Sequence, residues 1–232
     1  MKDRRLLACA ELCVGKRAAD VGTDHAYLPI YLVENGICES ALACDINEGP
    51  LASALDNIKK AGLSDKIETY LSNGLDSVPS VGITDVIIAG MGGELIADII
   101  SRAEWIKSRR VNLVLQPMTK WDHLRKYLYD GGYTIINEIP CAEGKFVYSV
   151  LQAQYTGDAP DFPCDLAYQY GGRVDGTTKE GAMYLLRQAS RLENAGKGLL
   201  RDPQQADKAK EFLDAAGALR EKAIDGGEMI EQ

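Results

Sequence analysis

Two acidic residues and a glycine stand where the chain can do chemistry with a nucleoside. Asp20 and Gly22 come at the end of one apolar segment, and Asp45 ends another one twenty-five positions later. Glycine lets the backbone approach a ligand closely. A carboxylate after the second strand of such a pair can accept hydrogen bonds from a ribose diol. The spacing predicts a nucleoside cofactor lying across two adjacent parallel strands.

The first loop favours a cationic ligand over a dinucleotide. Gly22 is followed by Thr23, Asp24 and His25, with no second or third glycine to cradle a pyrophosphate. Asp20 and Asp24 make the loop locally anionic, which repels phosphate and suits a sulfonium and an ammonium group. The loop therefore predicts S-adenosylmethionine as the cofactor rather than NAD.

Three further segments follow strand-like runs and complete the predicted cofactor site. Ile46 is expected against the adenine face and Asn73 at the adenine edge, while the glycines of segment 89–93 leave the backbone bare at a cleft mouth. A plain helix-terminal carboxylate at Asp45 and an ordinary Asn-Gly turn remain alternatives. The predicted cofactor-binding residues are Asp20, Gly22, Thr23, His25, Asp45, Ile46, Asn47, Asn73, Gly74, Leu75, Ala89, Gly90, Met91, Gly92, Gly93 and Gln116.

The elements that must position these residues alternate between helix and strand. Hydrophobic patterning predicts helices over about 4–13, 26–34, 47–60, 94–101 and 121–129, and strands over about 17–21, 40–44, 66–71, 85–89, 112–115, 133–139 and 145–154. The last two strands are separated only by residues 140–144, too few for a crossover helix, so they predict a hairpin. This is an α/β fold of the class I S-adenosylmethionine-dependent methyltransferase type, a Rossmann-like seven-stranded sheet with an antiparallel end hairpin.

The third predicted helix and the end of the chain carry more specific expectations. Asn47 is expected to cap the third helix, which would bury Leu51, Leu55 and Ile58 on one face. Residues 156–176 are predicted to be a linker. Two helices, about 179–200 with apolar positions 182, 185, 186, 189 and 192, and about 203–224, predict a C-terminal coiled-coil-like appendage. The domains are thus 1–155 and 156–232, with the last seven residues frayed.

Composition narrows the functional classes. The 232 residues carry a net charge of −8, which by itself argues against nucleic acid. No apolar run reaches the roughly 20 residues of a membrane span. Six scattered cysteines without a C-x-x-C pair predict core thiols, no metal site and a reducing cytoplasm. Basic side chains nevertheless cluster locally, at Lys107, Arg109 and Arg110, at Lys120, Arg125 and Lys126, and at Arg187, Arg191, Lys197 and Arg201.

The motifs closely resemble one known family. The chain is similar to the TrmK family, the bacterial tRNA (adenine-22-N1)-methyltransferases, in order over about residues 5–150, and its helical tail is similar to the coiled-coil domain of that family. The matching segments are Asp20–Pro29, Asp45–Asn47 with Gly49-Pro50, Asn73–Leu75, Ala89–Gly93 and Gln116-Pro117. Two positions depart from the pattern: Met118 stands where the family suggests Asn, and Ser149 where it suggests an acidic residue.

The resemblance implies methyl transfer to N1 of an adenine in tRNA. Adenine N1 has an in-plane lone pair and no hydrogen, so the transfer needs alignment rather than a general base. The segment after the fourth strand lacks the Asn/Asp-Pro-Pro-Tyr signature of exocyclic-amine methylation. Asp24 is expected to stabilise the cationic product ring, and His25 and Tyr27 to orient or stack on the adenine. The predicted catalytic residues are Asp24, His25, Tyr27 and Met91.

Two other functional classes stay open at this point. The acidic charge leaves room for a methyltransferase acting on a small molecule or a protein. A non-catalytic S-adenosylmethionine-binding protein is the third possibility, although it has no use for bare glycine backbone at the cleft mouth. Lys145 and Tyr148 on the hairpin are expected on the substrate side. The expected partner is tRNA, with no membrane, and the expected assembly is a monomer or a weak homodimer.

Overall fold

The computed structural model describes residues 1–227. Strands and helices alternate along the chain until the final helices. The strands are β1 Arg17–Val21, β2 Ser40–Asp45, β3 Ile67–Leu71, β4 Asp85–Gly92, β5 Asn112–Thr119, β6 Tyr133–Glu143 and β7 Phe146–Tyr155. The helices are α1 Arg4–Glu11, α2 Tyr27–Glu34, α3 Glu48–Lys60, α4 Gly93–Arg102, α5 Trp105–Arg109, α6 Trp121–Asp130, α7 Leu166–Gly171, α8 Lys179–Leu199 and α9 Ala206–Gly227.

The strands form one sheet in the order β3-β2-β1-β4-β5-β7-β6. Pairings from β3 to β5 are parallel, whereas β7 runs antiparallel to both β5 and β6. The strand order reverses between β1 and β4, and ligands of open α/β sheets bind at the carboxyl ends beside such a reversal. The predicted α/β class I architecture with an antiparallel end hairpin is confirmed.

Both faces of the sheet are covered, so its central strands are continuously apolar. Alternate side chains of β1 and β4 enter two separate cores. One core also receives α4, α5 and α6, and the other receives α1, α2 and α3. Residues 85–88 of β4 are fully buried, as expected of a parallel strand with helices on both sides. This packing holds the strand ends, where the predicted site residues lie, on a rigid frame.

The predicted buried face of α3 is confirmed at Ile58 and wrong at Leu55, and Leu51 is half-buried. Ala54 and Ile58 are the buried residues, while Leu55 is exposed. Packing against the sheet selects the small Ala54, because the helix lies close to β2 and β3. Asn47 occupies the N-cap position, but its side chain makes no capping hydrogen bond. The predicted capping role of its side chain is therefore wrong as well.

Several strands are longer than predicted. The strand β4 continues through Gly92, and β5 through Thr119. The strand β6 runs through Pro140 to Glu143, so the hairpin turn contains only Gly144 and Lys145 instead of residues 140–144. Pro140 is tolerated because β6 is the edge strand, where a missing N–H breaks no second ladder. The longer hairpin projects beyond the sheet toward the C-terminal helices.

The segment predicted as a linker contains a helix. Asp165 caps α7 by accepting a hydrogen bond from the Tyr168 backbone N–H, and α7 packs against α6, α8 and α9. Of the predicted stripe of α8, Leu185, Ala189 and Leu192 are buried, Ala182 is half-buried and Leu186 is exposed. The division at residue 155 stays a prediction. Of the last seven residues expected to fray, Gly226 and Gly227 close α9, and the others lie outside the described residues.

A buried ion pair ties the C-terminal helices to the sheet. Arg125 of α6, predicted as part of a basic surface cluster, is instead completely buried. Its guanidinium donates to Glu138 of β6 at 2.5 Å and to the hydroxyl of Tyr184 of α8 at 2.7 Å. It also donates to two backbone carbonyls of α7. Arg125 therefore serves packing and is not available to a partner.

Candidate active site

Two cavities meet at the carboxyl ends of the central strands. The inner cavity, of about 280 Å³, opens beside β1, β4 and β5. The outer cavity, of about 200 Å³, opens beside β2 and β3. Gly22 lines both of them, and a Cβ at that position would overlap the Cε of Met91. Gly22 has a φ of +75°, which favours glycine, whereas the end of the Met91 side chain could move aside.

Most predicted site residues line one of these cavities. The inner cavity is lined by Asp20, Gly22, Asp24, Ala89, Gly90 and Gln116. The outer cavity is lined by Gly22, Asp45, Ile46, Asn47, Asn73, Gly74 and Met91. The predicted residues that border neither cavity are Thr23, His25, Tyr27, Leu75, Gly92 and Gly93. The assignment of every one of these residues, inside or outside the cavities, to ligand binding or catalysis stays a prediction.

The first loop is held in a tight, unusual conformation. The backbone N–H groups of Gly22 and Thr23 both donate to the carbonyl of Cys44, at 2.8 and 2.9 Å. His25 and Ala26 both have φ near +55°, a left-handed conformation that costs energy in residues with a Cβ. The Asn57 amide braces the loop by donating to the His25 carbonyl. The hydrogen bonds to the Cys44 and His25 carbonyls therefore hold this loop in a strained backbone conformation.

His25 and Tyr27 lie together on the outside of this loop. Their ring centres are 5.4 Å apart, and Tyr27 is half exposed. The His25 imidazole lies 3.5 Å from the Asp24 carboxylate, which is largely exposed. The three side chains form an open polar and aromatic edge beside the inner cavity, within reach of a ligand entering from solvent.

Asp20 is the most perturbed carboxyl group of the site. Burial raises its pKa to about 6, and the carboxylates of Asp24 and Asp45 act in the same direction. The neighbouring Thr23 side chain offsets part of this shift without reaching hydrogen-bonding geometry. A buried carboxylate with two carboxylate neighbours stabilises a cation placed among them.

Asp45 is fixed by its own backbone at the end of β2. One carboxylate oxygen accepts from the Asn47 N–H at 2.7 Å, and the Asp45 carbonyl accepts from the Ser72 N–H at 2.8 Å. Within residues 1–227 the other carboxylate oxygen makes no hydrogen bond. Ile46, which is 60 % exposed, stands beside it as an uncovered apolar surface. A free carboxylate oxygen beside an exposed apolar side chain suits a ribose with its attached base.

The glycines at the end of β4 and the start of α4 have different tasks. Gly90 has a φ of +79° and donates its N–H to the side-chain oxygen of Gln116 at 3.0 Å. A Cβ at Gly93 would overlap the Lys120 carbonyl, so Gly93 lets α4 approach the loop before α6. Gly92 has an ordinary φ, and a Cβ there would meet only the Thr119 side chain. The bare backbone at the inner cavity is thus that of Gly90.

The sequence reasoning missed the N-terminal side of the inner cavity. Asp3, Arg5, Leu6 and Leu28 line it as well. Asp3 caps α1 and pairs with Arg5 at 2.6 Å. The Arg5 guanidinium also donates to the sulfur of Met118 at 3.2 Å. An Asp followed by a short amphipathic helix signals the cap, but no local pattern reveals that α1 folds back over this cavity.

The two departures from the family pattern lie in different surroundings. Met118 is at the inner cavity's edge, where its sulfur faces Arg5 and the Gln116 amide. Ser149 is buried away from both cavities and accepts from Arg125 at 3.3 Å. The carboxylate partner of Arg125 is Glu138, one strand away. Met118 can therefore affect substrate contacts, whereas Ser149 belongs to the packing behind the sheet.

The residues present fit S-adenosylmethionine. Thr23 Oγ1 is buried with no hydrogen-bond partner among residues 1–227, and Gly22, which lines both cavities, places no side chain between them. The inner cavity offers carboxylates for the cationic amino acid part, and the outer one offers Asp45 and apolar walls for the adenosine part. An anionic pyrophosphate would face Asp20 and Asp24 without a compensating free cation, since Arg5 is paired with Asp3.

Metal ligands, cysteines and apolar helices are the other features that bear on the function. Over the described residues 1–227, no group of three or more His, Cys, Asp or Glu side chains could hold a metal ion. The six cysteines are unpaired thiols. In the same range there is no helix with the length and apolar character needed to cross a membrane.

Comparison with known proteins agrees with this geometry. Residues 2–151 match the family model described as a methyltransferase domain. The tRNA (adenine(22)-N(1))-methyltransferase of Bacillus subtilis is 33% identical over 234 residues, covering 97% of this chain and 97% of that protein. The chain belongs to the TrmK family of methyltransferases.

Solved structures of TrmK relatives support the same assignment. A putative tRNA (m1A22) methyltransferase from Streptococcus pneumoniae, solved in complex with S-adenosyl-L-methionine, is 30% identical with a TM-score of 0.81, covering 95% of this chain and 100% of that one. TrmK of M. capricolum, solved with S-adenosyl-homocysteine, is 29% identical with a TM-score of 0.75, covering 95% and 97%. The similarity extends through the C-terminal helices as well as the sheet.

Proposed function

We propose that this chain is a cytoplasmic S-adenosylmethionine-dependent methyltransferase that methylates N1 of an adenine in tRNA, as a monomer or a weak homodimer. The observation that carries the proposal is the pair of cavities joined at Gly22, with carboxylates in one and Asp45 with apolar walls in the other. The family relationship to tRNA (adenine(22)-N(1))-methyltransferases supports the substrate.

The cofactor would be held by residues from both cavities. Asp20 and the Gly90 backbone would receive its amino acid part, Asp45 the ribose hydroxyls, and Ile46 and Asn73 the adenine. When bound, S-adenosylmethionine supplies an electrophilic methyl group on a sulfonium. The protein itself needs no base for adenine N1, because that nitrogen carries a free lone pair, so its task is alignment.

The loop after β1 would carry the substrate side of the reaction. His25 and Tyr27 present adjacent rings on which a flipped adenine can stack and be oriented. Asp24, exposed beside the inner cavity, would stabilise the positive charge that the ring acquires on methylation. Met91 lines the outer cavity beside Gly22 and would bound the space that holds the cofactor there.

The decisive experiment is methylation of defined RNA. The purified protein is incubated with labelled S-adenosylmethionine and unmodified tRNA transcripts, and nucleosides are mapped by mass spectrometry. We expect 1-methyladenosine in the wild-type transcript and none when adenine 22 is replaced by guanine. Cofactor binding without transfer to any RNA would contradict the substrate and leave a small molecule or a protein as the acceptor.

The raised pKa of Asp20 predicts a pH dependence of cofactor affinity. Protonation of this carboxyl below about pH 6 removes a negative charge that attracts the cationic ligand. Affinity measured by calorimetry is expected to fall from pH 7 to pH 5, by at most about tenfold for each pH unit below the pKa. Asp20→Asn should bind weakly with a flat profile over this range, and His25→Gln separates any contribution of the imidazole.

The same shift affects the unliganded protein in the opposite sense. The folded pKa lies above the ordinary value of 3.8, so the folded chain holds this proton more tightly than the unfolded chain. The resulting stabilisation is complete below about pH 3.8 and is lost as pH rises through about 6.

A wild-type cofactor affinity that stays constant from pH 5 to pH 8 would contradict the role given to Asp20.

A further inference from the structure

The tip of the β6–β7 hairpin carries an exposed aromatic ring between two cations. Phe146 is one of the three phenylalanines of the chain, and it is 47 % exposed. The Lys145 ammonium lies 5.4 Å from its ring centre, and the Arg187 guanidinium of α8 lies 5.9 Å from it. The exposed part of the ring is free to stack on a base, and the two cations beside it can attract the phosphates of the same chain.

This arrangement continues to the inner cavity. Tyr148 lies two residues after Phe146, on the same face of β7, with ring centres 6.2 Å apart. The guanidinium of Arg5, which lines the inner cavity, lies 5.6 Å from the Tyr148 ring centre. From the cavity to α8 the order is therefore one cation, two neighbouring aromatic rings and two further cations. We call this surface the hairpin strip; it consists of Arg5, Tyr148, Phe146, Lys145 and Arg187.

The hairpin strip is held in place rather than loose. Arg187 donates to the Lys145 backbone carbonyl at 3.1 Å, which joins the hairpin tip to α8. Asp3 pairs with Arg5 at 2.6 Å, so Lys145 and Arg187 are the cations of the strip that are left to meet phosphates. Two other carboxylates of this region also have partners: Glu143 accepts from the Arg4 backbone N–H at 3.0 Å, and Glu180 pairs with the Arg4 guanidinium at 2.8 Å. Their charge is therefore partly compensated, and the strip can face phosphate groups in spite of the acidic total charge.

We propose that the hairpin strip binds an unpaired segment of the RNA substrate next to the target adenine, with one base stacked on Phe146 and the adjoining phosphates near Lys145 and Arg187. This inference rests on the proposed function. Proteins bind single-stranded RNA by stacking its bases on aromatic side chains and by placing cations along its phosphate backbone. A base that leaves its stack to enter an active site also exposes its neighbours, and the strip begins at the cavity.

The test compares Phe146→Ala with Phe162→Ala. Phe162 is also exposed but packs against Tyr129 and Tyr168, on the α6–α7 side of the molecule. RNA affinity is measured by fluorescence anisotropy with tRNA transcripts carrying 2-aminopurine beside the target adenine. Phe146→Ala should bind at least about fivefold more weakly and lose the quenching of 2-aminopurine. Phe162→Ala and the aromatic replacement Phe146→Trp should retain both, and cofactor affinity and thermal stability should match wild type in all three.

Salt dependence tests the cationic part of the strip. Lys145→Gln should reduce the slope of log affinity against log salt by about one unit, as expected for the loss of one phosphate contact. The matched control is Lys197→Gln, because Lys197 pairs with Glu193 on the far part of α8. If the wild type binds and methylates the RNA, unchanged RNA affinity and unchanged 2-aminopurine quenching in Phe146→Ala would overturn the proposed role of the hairpin strip. Failure of wild type itself to do so would instead overturn the proposed function.

Discussion

Asp45→Ala is expected to weaken cofactor binding by about a hundredfold or more. The variant removes a carboxylate that would accept two hydrogen bonds from the ribose, and hydrogen bonds to a charged group contribute about 1.5–3 kcal/mol each. The carboxylate is already oriented by the Asn47 N–H, so the wild-type protein spends no free energy in arranging it. Calorimetric titration with S-adenosylmethionine at pH 7.5 measures the change.

The matched control for this variant is Asp56→Ala. Asp56 lies on the exposed side of α3 and lines neither cavity, so its removal changes the net charge by the same amount without touching the site. We expect Asp45→Asn to fall between the wild type and Asp45→Ala, because the amide keeps one acceptor oxygen. The assignment of Asp45 to the ribose is wrong if Asp45→Ala binds the cofactor as tightly as Asp56→Ala.

The Asp45 variant also separates binding from chemistry. The ribose contact is made equally in the ground state and in the transition state, so its loss raises KM for the cofactor and leaves kcat largely unchanged. Variants of the substrate-side loop, such as Tyr27→Ala, should show the reverse pattern at saturating cofactor. The two cavities therefore make different kinetic predictions, although they share Gly22.

Local sequence signals were sufficient to predict which residues meet at the carboxyl ends of the strands. Asp20, Gly22 and Asp45 follow short apolar runs, and parallel strands bring their carboxyl ends to one edge of the sheet. Their proximity follows from the fold class alone, without any long-range contact to be guessed. The same holds for the hairpin, since its short connection excludes a crossover helix. These predictions depend on periodicity and loop length, which are properties of neighbouring residues.

Tertiary packing decides which residues are buried and where a strand ends in the places where the local sequence pattern is misleading. Leu55 has the right spacing for the buried face of α3, yet the close approach of the helix to the sheet selects Ala54 instead. Pro140 signals a turn, but an edge strand has no second neighbour and can continue through it. Arg5 closes the inner cavity because α1 packs against the sheet. No pattern within α1 itself carries that information.

The second large effect is expected on stability, from Arg125→Met. The substitution leaves the Glu138 carboxylate buried without its counter-charge, and breaking a buried pair in this way typically costs about 3–5 kcal/mol. Burial alone would lower the pKa of Arg125, but Glu138 and Tyr184 raise it above its ordinary value, so the guanidinium is charged in the folded protein. Urea unfolding followed by circular dichroism measures the loss.

Two variants make this prediction specific to the buried pair. Lys126→Met, one residue further along α6, removes a surface cation paired with Asp130 and should have no comparable effect. The double variant Arg125→Met/Glu138→Leu should recover much of the lost stability, because it removes both charges from the interior. A single variant as stable as Lys126→Met would show that the pair is not the link between the sheet and the C-terminal helices.

The same pair connects stability to the substrate side of the protein. Arg125 joins Glu138 of β6 to Tyr184 of α8, and α8 carries Arg187 at the hairpin strip. The cavities lie at the carboxyl ends of β1 to β5, and none of Arg125, Glu138 and Tyr184 lines them. Below its unfolding temperature, Arg125→Met is therefore expected to lose RNA affinity while keeping its affinity for S-adenosylmethionine. Equal losses of both affinities would mean that the helices support the whole sheet rather than the position of α8.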